Sequence, residues 1–401
     1  MSEGGDTVER GPDVDVPGLG QMNIDPEFAA RPQQFYPMLR DMGLVENEGM
    51  TLITRHEDVV WALRHPDLFS SNMDAIDIGN VRPLIPLQID PPDHVKFRRL
   101  LDPLFAPREI EKLEGAVRLL VTELIDAFVD RGECEFNAEL AIPLPCTVFL
   151  RLMGLPLDDL DLFLRFKDGI IRPEAADLAE GRVIARATGQ EIYAYFERVI
   201  EARRAAPEDD LISGFIGAEI DGERLTTEDI LDISYLFLLA GLDTVTASLG
   251  CAVAYLADHP DRQRSLRDDP GLVPAAVEEL LRWETPVPGV LRISTQDVEV
   301  GGGTIPAGTS VTCLLASANT DGTEFAEPET IDFGRPANRH LAFGAGVHRC
   351  LGSHLARVEM RVALEEFHRR VPAYAVKAGE KPVYTAGIRG VEYLPLVWGP
   401  G

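Results

Sequence analysis

The chemistry in this chain of 401 residues is concentrated around one cysteine. In the stretch HLAFGAGVHRCLGSHLA, residues 340–356, Cys350 follows a glycine-rich turn and precedes apolar residues at helical spacing. Free backbone N–H groups at a helix N-terminus are expected to lower the pKa of its thiol, and the glycines let a flat or bulky group approach. Four uses are open: a buried structural thiol, a zinc site with His348 and His354, a phosphate loop, or a thiolate ligand to haem iron.

The ligand to haem iron is favoured, because residues 343–352 match a known signature. FGAGVHRCLG fills every fixed position of FGxGxHxCxG, and the chain therefore resembles the cytochrome P450 monooxygenases. A zinc site would lack a fourth ligand at a recognised spacing, and GAGVHR departs from GxGxxG at its last position. The resemblance implies haem b (iron protoporphyrin IX), with Cys350 as axial ligand and Phe343, Gly344, His348 and Gly352 around it.

Two further motifs fit the same resemblance. EELLR places Glu279 and Arg282 one helical turn apart, and Arg335 in IDFGRP falls where the family supplies a second arginine. These three residues would form a structural network behind the cysteine loop. AGLDT, residues 240–244, resembles the family's oxygen-activation motif, in which Ala240 and Gly241 face the cofactor and the acid–alcohol pair Asp243 and Thr244 is catalytic. Taken alone, that motif would equally fit a locally bonded threonine and an aspartate paired with an arginine.

A haem carries two propionates and needs cationic or N–H donors. His94 and Arg98 stand four residues apart in DPPDHVKFRRLL, and they resemble the propionate donors of the family, as do Arg292 and His348. SANTDG departs from the pattern, because Thr320 stands where many members carry arginine.

The resemblance implies O2-dependent hydroxylation of a C–H bond, in which Thr244 holds dioxygen and Asp243 feeds protons inward. The electrons are expected from a ferredoxin and its reductase, docked on the Cys350 side. Basic residues on that side form a candidate docking patch, with a mixed solvated face as the alternative: Lys96, Arg98, Arg99, Arg108, Lys112, Arg349 and Arg357. A non-catalytic haem-thiolate sensor is the second function class.

The substrate is expected to be compact and apolar, favouring a terpenoid or a steroid, because the segments that match the family's pocket are mostly aliphatic. Arg82 could instead receive a carboxylate, which would favour a fatty or aromatic acid. The predicted lining residues are Ile78, Val81, Arg82, Leu84, Phe237, Leu238, Val287, Gly289, Val290 and Ile388.

Composition limits the partners and the compartment. With 38 Lys and Arg against 66 Asp and Glu, the formal net charge is −28, which argues against nucleic acid and anionic membranes. Five scattered cysteines without a CxxC pair fit a reducing cytoplasm, and no signal peptide is seen. Residues 233–257 are long and apolar enough to cross a bilayer, but they carry Asp243 and lack a flanking basic cluster. We therefore expect a buried central helix in a cytoplasmic monomer.

Helical periodicity dominates the elements that must position these residues. It predicts helices over 56–66, 108–132, 188–205 and 274–283, and a rod of about 32 residues from a TTED capping box at Thr226 to Pro260. Strands are predicted over 50–54 and 391–398, with hairpins over 297–317. The predicted fold is mainly α with small sheets, the triangular helical P450 prism. It comprises a mobile tail over 1–20 and a single catalytic domain over 21–401.

Overall fold

A computed structural model describes residues 26–399 apart from 48, 73–77, 372 and 386. The predicted tail over 1–20 lies outside these residues. Within them the helices are α1 Pro26–Ala30, α2 Tyr36–Met42, α3 His56–Arg64, α4 Asp93–Leu101, α5 Pro107–Glu111, α6 Glu114–Asp126, α7 Pro143–Leu152, α8 Leu160–Ile171, α9 Leu178–Ala205, α10 Leu211–Gly217, α11 Thr227–Leu242, α12 Thr244–Ala257, α13 Pro260–Asp268, α14 Val273–Glu284, α15 Leu315–Ala318 and α16 Ser353–Arg370. The mainly helical fold is thereby confirmed.

The strands form small sheets at the edge of the helical body. They are β1 Val45–Asn47, β2 Met50–Ile53, β3 Phe69–Ser70, β4 Glu133–Glu135, β5 Glu219–Ile220, β6 Glu223–Arg224, β7 Val290–Ser294, β8 Val298–Val300, β9 Gly303–Ile305, β10 Ser310–Cys313, β11 Ala375–Val376, β12 Val383–Thr385, β13 Gly390–Tyr393 and β14 Pro395–Val397. The largest sheet has the order β1-β2-β10-β7-β3, in which β10 runs parallel to β2 and antiparallel to β7.

The remaining strands pair in smaller units. A three-stranded sheet has the order β11-β14-β4, and β5–β6, β8–β9 and β12–β13 are antiparallel pairs. The strand predicted over 50–54 and a hairpin within 297–317 are therefore present. The stretch 391–398 contains two strands, β13 and β14, and residues 315–318 are helical.

The predicted central rod is two helices, and the single-rod expectation is corrected. Thr226 caps α11 through the expected box: its hydroxyl accepts from the Asp229 N–H, and the Asp229 side chain accepts from the Thr226 N–H. The helix ends at Leu242, and α12 begins at Thr244. Asp243 between them has φ −115°, outside helical geometry. The helix expected over 108–132 is likewise divided, into α5 and α6.

Two apolar clusters pack against this divided central axis. One joins α12 with α6, α14 and α16, and the other joins α11 with α8 and α9. The axis from Thr227 to Ala257 is the one described stretch that is long and apolar enough to span a membrane, and most of it is buried inside the protein. Burial on several sides explains why its sequence is apolar without a narrow stripe.

Candidate active site

The cysteine loop, residues 341–352, is seated on α3 by a glycine. Gly346 has φ +70°, and a Cβ there would overlap the carbonyl oxygen of Leu63 at the end of α3. The Cys350 N–H donates to the Phe343 carbonyl at 2.9 Å, which closes the loop on itself. Gly344 and Gly352 have nothing within 4 Å of an added Cβ. The loop is thus fixed on the α3 side and open on the side where a cofactor plane would lie.

Cys350 differs from the other four cysteines, which are buried, because it is exposed. The helix after it starts only at Ser353, so Cys350 lies three residues before α16 and not in its first turn. Desolvation raises the pKa of its thiol, although the Gly352 N–H and the nearby Arg349 act in the opposite direction. The lowered thiol pKa expected from the sequence therefore stays a prediction, and the charge of a bound metal ion would favour the thiolate.

One face at the end of α11 and the start of α12 keeps exposed surface within the helical body. Ala240 is exposed, and Leu236, Leu239, Gly241 and Thr244 are partly exposed, although the surrounding helix is buried. Leu236, Ala240 and Thr244 recur at steps of four, and Leu239 follows Leu236 by three, as one helix face requires. The AGLDT motif therefore lies on a surface that the rest of the protein leaves partly uncovered.

Asp243 is held by two cations that the sequence did not reveal. Its carboxylate, 1% exposed, accepts from Arg172 through both oxygens, at 2.9 and 2.8 Å, and lies 3.6 Å from the Lys167 ammonium. The Thr244 hydroxyl donates to the Ala240 carbonyl at 3.1 Å. The side chains of Asp243 and Thr244 thus already have hydrogen-bond partners within the protein. Each must give up one of these partners before it can take part in proton transfer.

The propionate candidates provide the test of whether a haem fits. His94 and His348 stack with ring centroids 4.1 Å apart, and His94 Nδ1 and Nε2 and His348 Nε2 are buried without a hydrogen-bond partner. Burial lowers the pKa of His94 to about 4 and that of His348 to about 3, and Arg98 contributes to both shifts. Arg292 is buried, and its Nη1 donates to the neighbouring Leu291 carbonyl at 2.6 Å. Unpaired donors around an open cradle fit a group that brings its own anions.

Arg98 is the exception within this set. Its Nε donates to Asp102 at 2.7 Å, and its Nη1 donates to the Arg349 carbonyl of the cysteine loop at 2.8 Å. It therefore links α4 to the cysteine loop in this structure.

The predicted structural network is assembled around Glu279. This buried carboxylate accepts from Arg282 at 2.8 and 2.9 Å, from Arg335 at 3.0 Å and from Asn338 at 3.0 Å. Arg282, fully buried, also donates to the carbonyls of Asn319, Pro328 and Thr330. Burial alone would raise the pKa of Glu279, but these donors keep it lowered.

Two additional contacts were not predicted. Glu278, next in sequence, binds Arg357 of α16 at 2.6 and 2.8 Å and contacts His340; these bonds outweigh burial and lower its pKa to about 2. Arg357 also lies over the Phe343 ring, 4.4 Å from its centroid. At position 320, where Thr320 departs from the family pattern, Arg40 of α2 donates to the threonine hydroxyl at 2.9 Å. A guanidinium therefore reaches this position from another element.

The predicted pocket residues divide into two groups. Ile78, Val287, Gly289, Val290 and Ile388 are half-buried, as lining residues would be.

The second group requires correction. Leu84 and Leu238 are fully buried in an apolar cluster, and Val81 is 64% exposed at the surface. Phe237 packs its ring against Phe105 and Phe215. Because each residue turns a helix by about 100°, Leu238 lies opposite the open face of α11, on which Leu236 and Leu239 stand.

Arg82 is engaged within the protein. Its Nε and Nη2 donate to the Asp232 carboxylate at 2.9 and 3.1 Å, and its guanidinium lies 5.2 Å from the Tyr193 ring centroid. The guanidinium edge that would receive a substrate carboxylate is therefore already bound to an acid.

The proximal basic residues are partly neutralised. Lys96, Arg98, Lys112 and Arg357 each pair with a nearby acid. Arg99 and Arg108 are exposed. The alternative given in the sequence analysis, a solvated face of mixed charge, therefore describes part of this basic patch. Among the described residues, no group of three or more His, Cys, Asp or Glu side chains could hold a metal ion, so the zinc alternative gains no support.

An exposed cysteine on a glycine-rich loop, a central helical axis interrupted at Asp243 and buried imidazole nitrogens without hydrogen-bond partners are features expected of a haem-thiolate protein. The cytochrome P450 family model matches residues 180–270 and 271–371. The steroid C26-monooxygenase of Mycobacterium tuberculosis is 35% identical over 370 residues, 91% of this chain and 97% of the relative. The methyl-branched lipid omega-hydroxylase of the same species is 36% identical over 381 residues, 92% of this chain and 88% of the relative. The chain belongs to the cytochrome P450 family.

Solved structures agree with this membership. The crystal structure of CYP109E1 from Bacillus megaterium, in complex with testosterone, superposes with a TM-score of 0.87 at 28% identity and covers 94% of this chain and all of that one. The protein is accordingly a hydroxylating oxidoreductase of bacterial type, and the family implies a haem-thiolate cofactor and the use of O2.

Proposed function

We propose that this protein is a cytoplasmic monooxygenase with haem b, which hydroxylates a compact apolar substrate of the terpenoid or steroid kind. The observation that supports the proposal is the exposed face of α11, on which Leu236, Leu239 and Ala240 lie although the surrounding helix is buried. The small aliphatic side chains there can contact the surface of an apolar substrate, and no polar group among them competes for that contact. The steroid and lipid hydroxylases among the relatives support the same class.

Arg82 argues against the fatty or aromatic acid alternative. The guanidinium is bound through two nitrogens to Asp232, so an incoming carboxylate would have to displace a buried acid. Displacement would leave the buried Asp232 carboxylate without its cation. The free energy lost in this way exceeds what the partly exposed arginine gains from a substrate carboxylate. A neutral substrate avoids this cost.

The residues of the chain have separate tasks in the proposed reaction. Cys350 would hold the haem, and His94, His348 and Arg292 would donate to its propionates; the bound haem would supply the activation of O2. Thr244 would position a water or the oxidant through its hydroxyl after it leaves the Ala240 carbonyl. Asp243 would carry protons inward after it turns from Arg172. The cysteine loop, fastened by Arg98, Arg357 and Gly346, keeps the sulfur in place.

The electron donor is proposed to be a ferredoxin that docks on the Cys350 side. Arg99 and Arg108 are exposed, and both lie on the α4–α5 surface. On a chain of net charge −28, a local cationic surface is the place where an acidic donor is least repelled.

The first experiment is the absorption spectrum of the purified protein, reduced and exposed to carbon monoxide. A Soret band at the strongly red-shifted thiolate position supports Cys350 ligation, and a Cys350→His variant should move the band to the histidine position. Protein that takes up no haem when expressed with ample precursor would contradict the proposal.

A second experiment separates a monooxygenase from a sensor. Steroids and terpenoids are screened for spin-state shifts, and product is then measured against electrons consumed. Thr244→Ala should release peroxide in place of product, whereas Thr246→Val should not, because the Thr246 hydroxyl donates to Ala141 and Leu242 carbonyls within the core. Equal coupling in both variants would contradict the role given to Thr244.

A further inference from the structure

A buried ion pair joins the end of α14 to the turn between β12 and β13. Arg389 donates through its Nε to the Glu284 carboxylate at 2.6 Å, and the two side chains are only 5% and 8% exposed. Glu284 is the last residue of α14, and Arg389 immediately precedes β13. Apolar residues of similar volume often stabilise a fold as well as a buried ion pair does, so the geometry that this pair maintains is its more informative property.

The N-terminal helix α1 supplies a further contact to the pair. Arg389 donates through its Nη1 to the Ala29 carbonyl at 2.5 Å, and its guanidinium lies 5.3 Å from the Tyr384 ring centroid. Shortly after α1, the Gln33 amide donates to the Trp283 carbonyl at the end of α14, at 3.0 Å. The guanidinium is therefore held by a carboxylate, a carbonyl and an aromatic ring, which together fix its orientation.

The backbone beside the pair joins two positions that are predicted to line the substrate space. The Arg389 N–H donates to the Pro286 carbonyl at 2.8 Å. Val287 follows the acceptor and Ile388 precedes the donor, and both residues are half-buried. This hydrogen bond therefore sets the two predicted pocket positions side by side.

Gly390 fixes this junction beside α12. A Cβ on Gly390 would stand 3.1 Å from the Ala247 Cβ and 3.3 Å from its Cα, so the two backbones are in close contact. The Arg389 carbonyl also accepts from the Cys251 thiol of α12, at 3.8 Å. Because Ala247 lies about one turn after Thr244, the junction reaches the start of α12, where Thr244 would act in the proposed reaction.

The far end of the stretch that begins at Pro286 is fixed by the largest sheet and its surroundings. The Pro288 carbonyl accepts from the Ala316 N–H at 2.9 Å, and β7, which starts at Val290, pairs with β10. The sheet thus holds one end of this stretch, and the contacts of Arg389 hold the other.

We propose that Glu284 and Arg389 are positioning residues, which set the width of the substrate space between Val287 and Ile388 and thereby limit the size of the molecule that fits beside the haem. The inference deepens the proposed function and rests on it for the chemical class of the substrate. Neither side chain has to touch the substrate, because the pair acts through the backbone next to it. Loss of the pair would let the turn before β13 move away from Pro286, and a rigid ligand would lose contact with the widened wall.

Two ligands of the haem iron test this role in the holoprotein. Imidazole and 4-phenylimidazole bind through the same kind of ring nitrogen, so the ratio of their dissociation constants reports on the space around the phenyl group. Both constants are measured from the shift of the Soret band. Arg389→Met should weaken the binding of the phenyl derivative by about tenfold, as expected when one charged hydrogen bond that holds the geometry is lost, and should leave imidazole unchanged.

A double variant separates positioning from stability. Arg389→Met alone leaves the buried Glu284 carboxylate without its cation and should lower the free energy of unfolding in urea. Glu284→Met in the same chain removes that charge and should restore most of the stability. The ligand ratio should stay shifted in the double variant, because the directional contact is still missing. A ratio that recovers together with the stability would overturn the positioning role.

Arg203→Met is the matched control. Arg203 also binds a buried carboxylate, that of Asp210 at 2.5 Å, and a backbone carbonyl, that of Gly154 at 2.6 Å, but these contacts join α9 to the N-terminus of α10. This variant should lower the free energy of unfolding and keep the ligand ratio of the parent. Equal ratios in Arg203→Met and Arg389→Met would overturn the proposal.

The two proposals fail in distinguishable ways. If no apolar substrate is hydroxylated but the ligand ratio responds as expected, the proposed function fails and the positioning role stands. If steroids or terpenoids are hydroxylated while the parent and Arg389→Met share one ligand ratio, only the positioning role fails.

Discussion

Replacing Arg172 by glutamine removes the principal partner of a buried carboxylate. In the intact protein both Asp243 oxygens accept from this guanidinium, at 2.9 and 2.8 Å, and only 1% of the Asp243 side chain is exposed. After the change the nearest cation is the Lys167 ammonium, 3.6 Å away and itself shared with Asp168 at 2.8 Å. The carboxylate then remains charged in an interior with less than full compensation.

The expected loss of stability differs between the two partners, because Asp243 is more deeply buried than Arg172. Breaking a buried pair by removing one partner costs about 3–5 kcal/mol, but Arg172 is 28% exposed and Lys167 remains, so we expect about 2–3 kcal/mol. Asp243→Asn leaves the arginine free to meet water and Glu392, whose Oε1 lies 3.9 Å from its Nε, so the expected loss is only about 1 kcal/mol. In the double variant no buried charge is stranded, and it should be more stable than Arg172→Gln alone.

Urea unfolding of the holoprotein, followed by far-ultraviolet circular dichroism and by the Soret band, measures these free energies. Arg165→Gln on α8, the helix that ends just before Arg172, is the control, because that arginine is exposed and its side chain reaches only the Asp161 carbonyl, at 3.4 Å. The reasoning is refuted if Asp243→Asn costs as much as Arg172→Gln, or if the two losses simply add in the double variant.

Three further predictions concern other parts of the fold. Burial raises the pKa of Glu359 to about 8, well above its unfolded value of about 4.3, so the protein loses stability as the pH rises between these two values. Glu359→Gln avoids this loss and should become more stable than the parent between about pH 5 and 8, by up to about 3 kcal/mol at neutral pH. Urea titrations at several pH values measure the difference. Gly346→Ala combines a φ of +70° with overlap on the Leu63 carbonyl, and transfer of haem to apomyoglobin should be faster than from a control, Gly115→Ala on α6, whose added Cβ meets nothing within 4 Å. Thr226→Ala removes the cap of α11 and should lower the free energy of unfolding by about 1 kcal/mol; no change in urea would contradict the capping box.

Features set by local sequence were predictable. The capping box needs only Thr226 and Asp229, and the Glu279–Arg282 pair is fixed by helical spacing once α14 forms. The turn of the cysteine loop follows from its glycines. Each of these arrangements joins residues within one turn or one loop, so the spacing in the sequence already contains the geometry.

Features set by tertiary packing were not predictable. Arg172 and Asp243 are 71 positions apart, and nothing in either neighbourhood identifies the partner. The burial of Leu238 and the exposure of Leu236 and Leu239 could not be read from the sequence, because apolar residues surround all of α11 and their pattern does not show which side of the helix is open. The pKa of Cys350 depended on three residues of distance from α16 and on local desolvation, neither of which a motif encodes.

The contact between Arg98 and the Arg349 carbonyl also bears on the order of events during synthesis. The two residues are 251 positions apart, and His94 meets His348 over a similar separation. A chain made from its N-terminus exposes α4 long before the cysteine loop leaves the ribosome, at about 5–20 residues per second. Haem capture is consequently a late step, and nascent chains that stop before α16 should carry no bound haem.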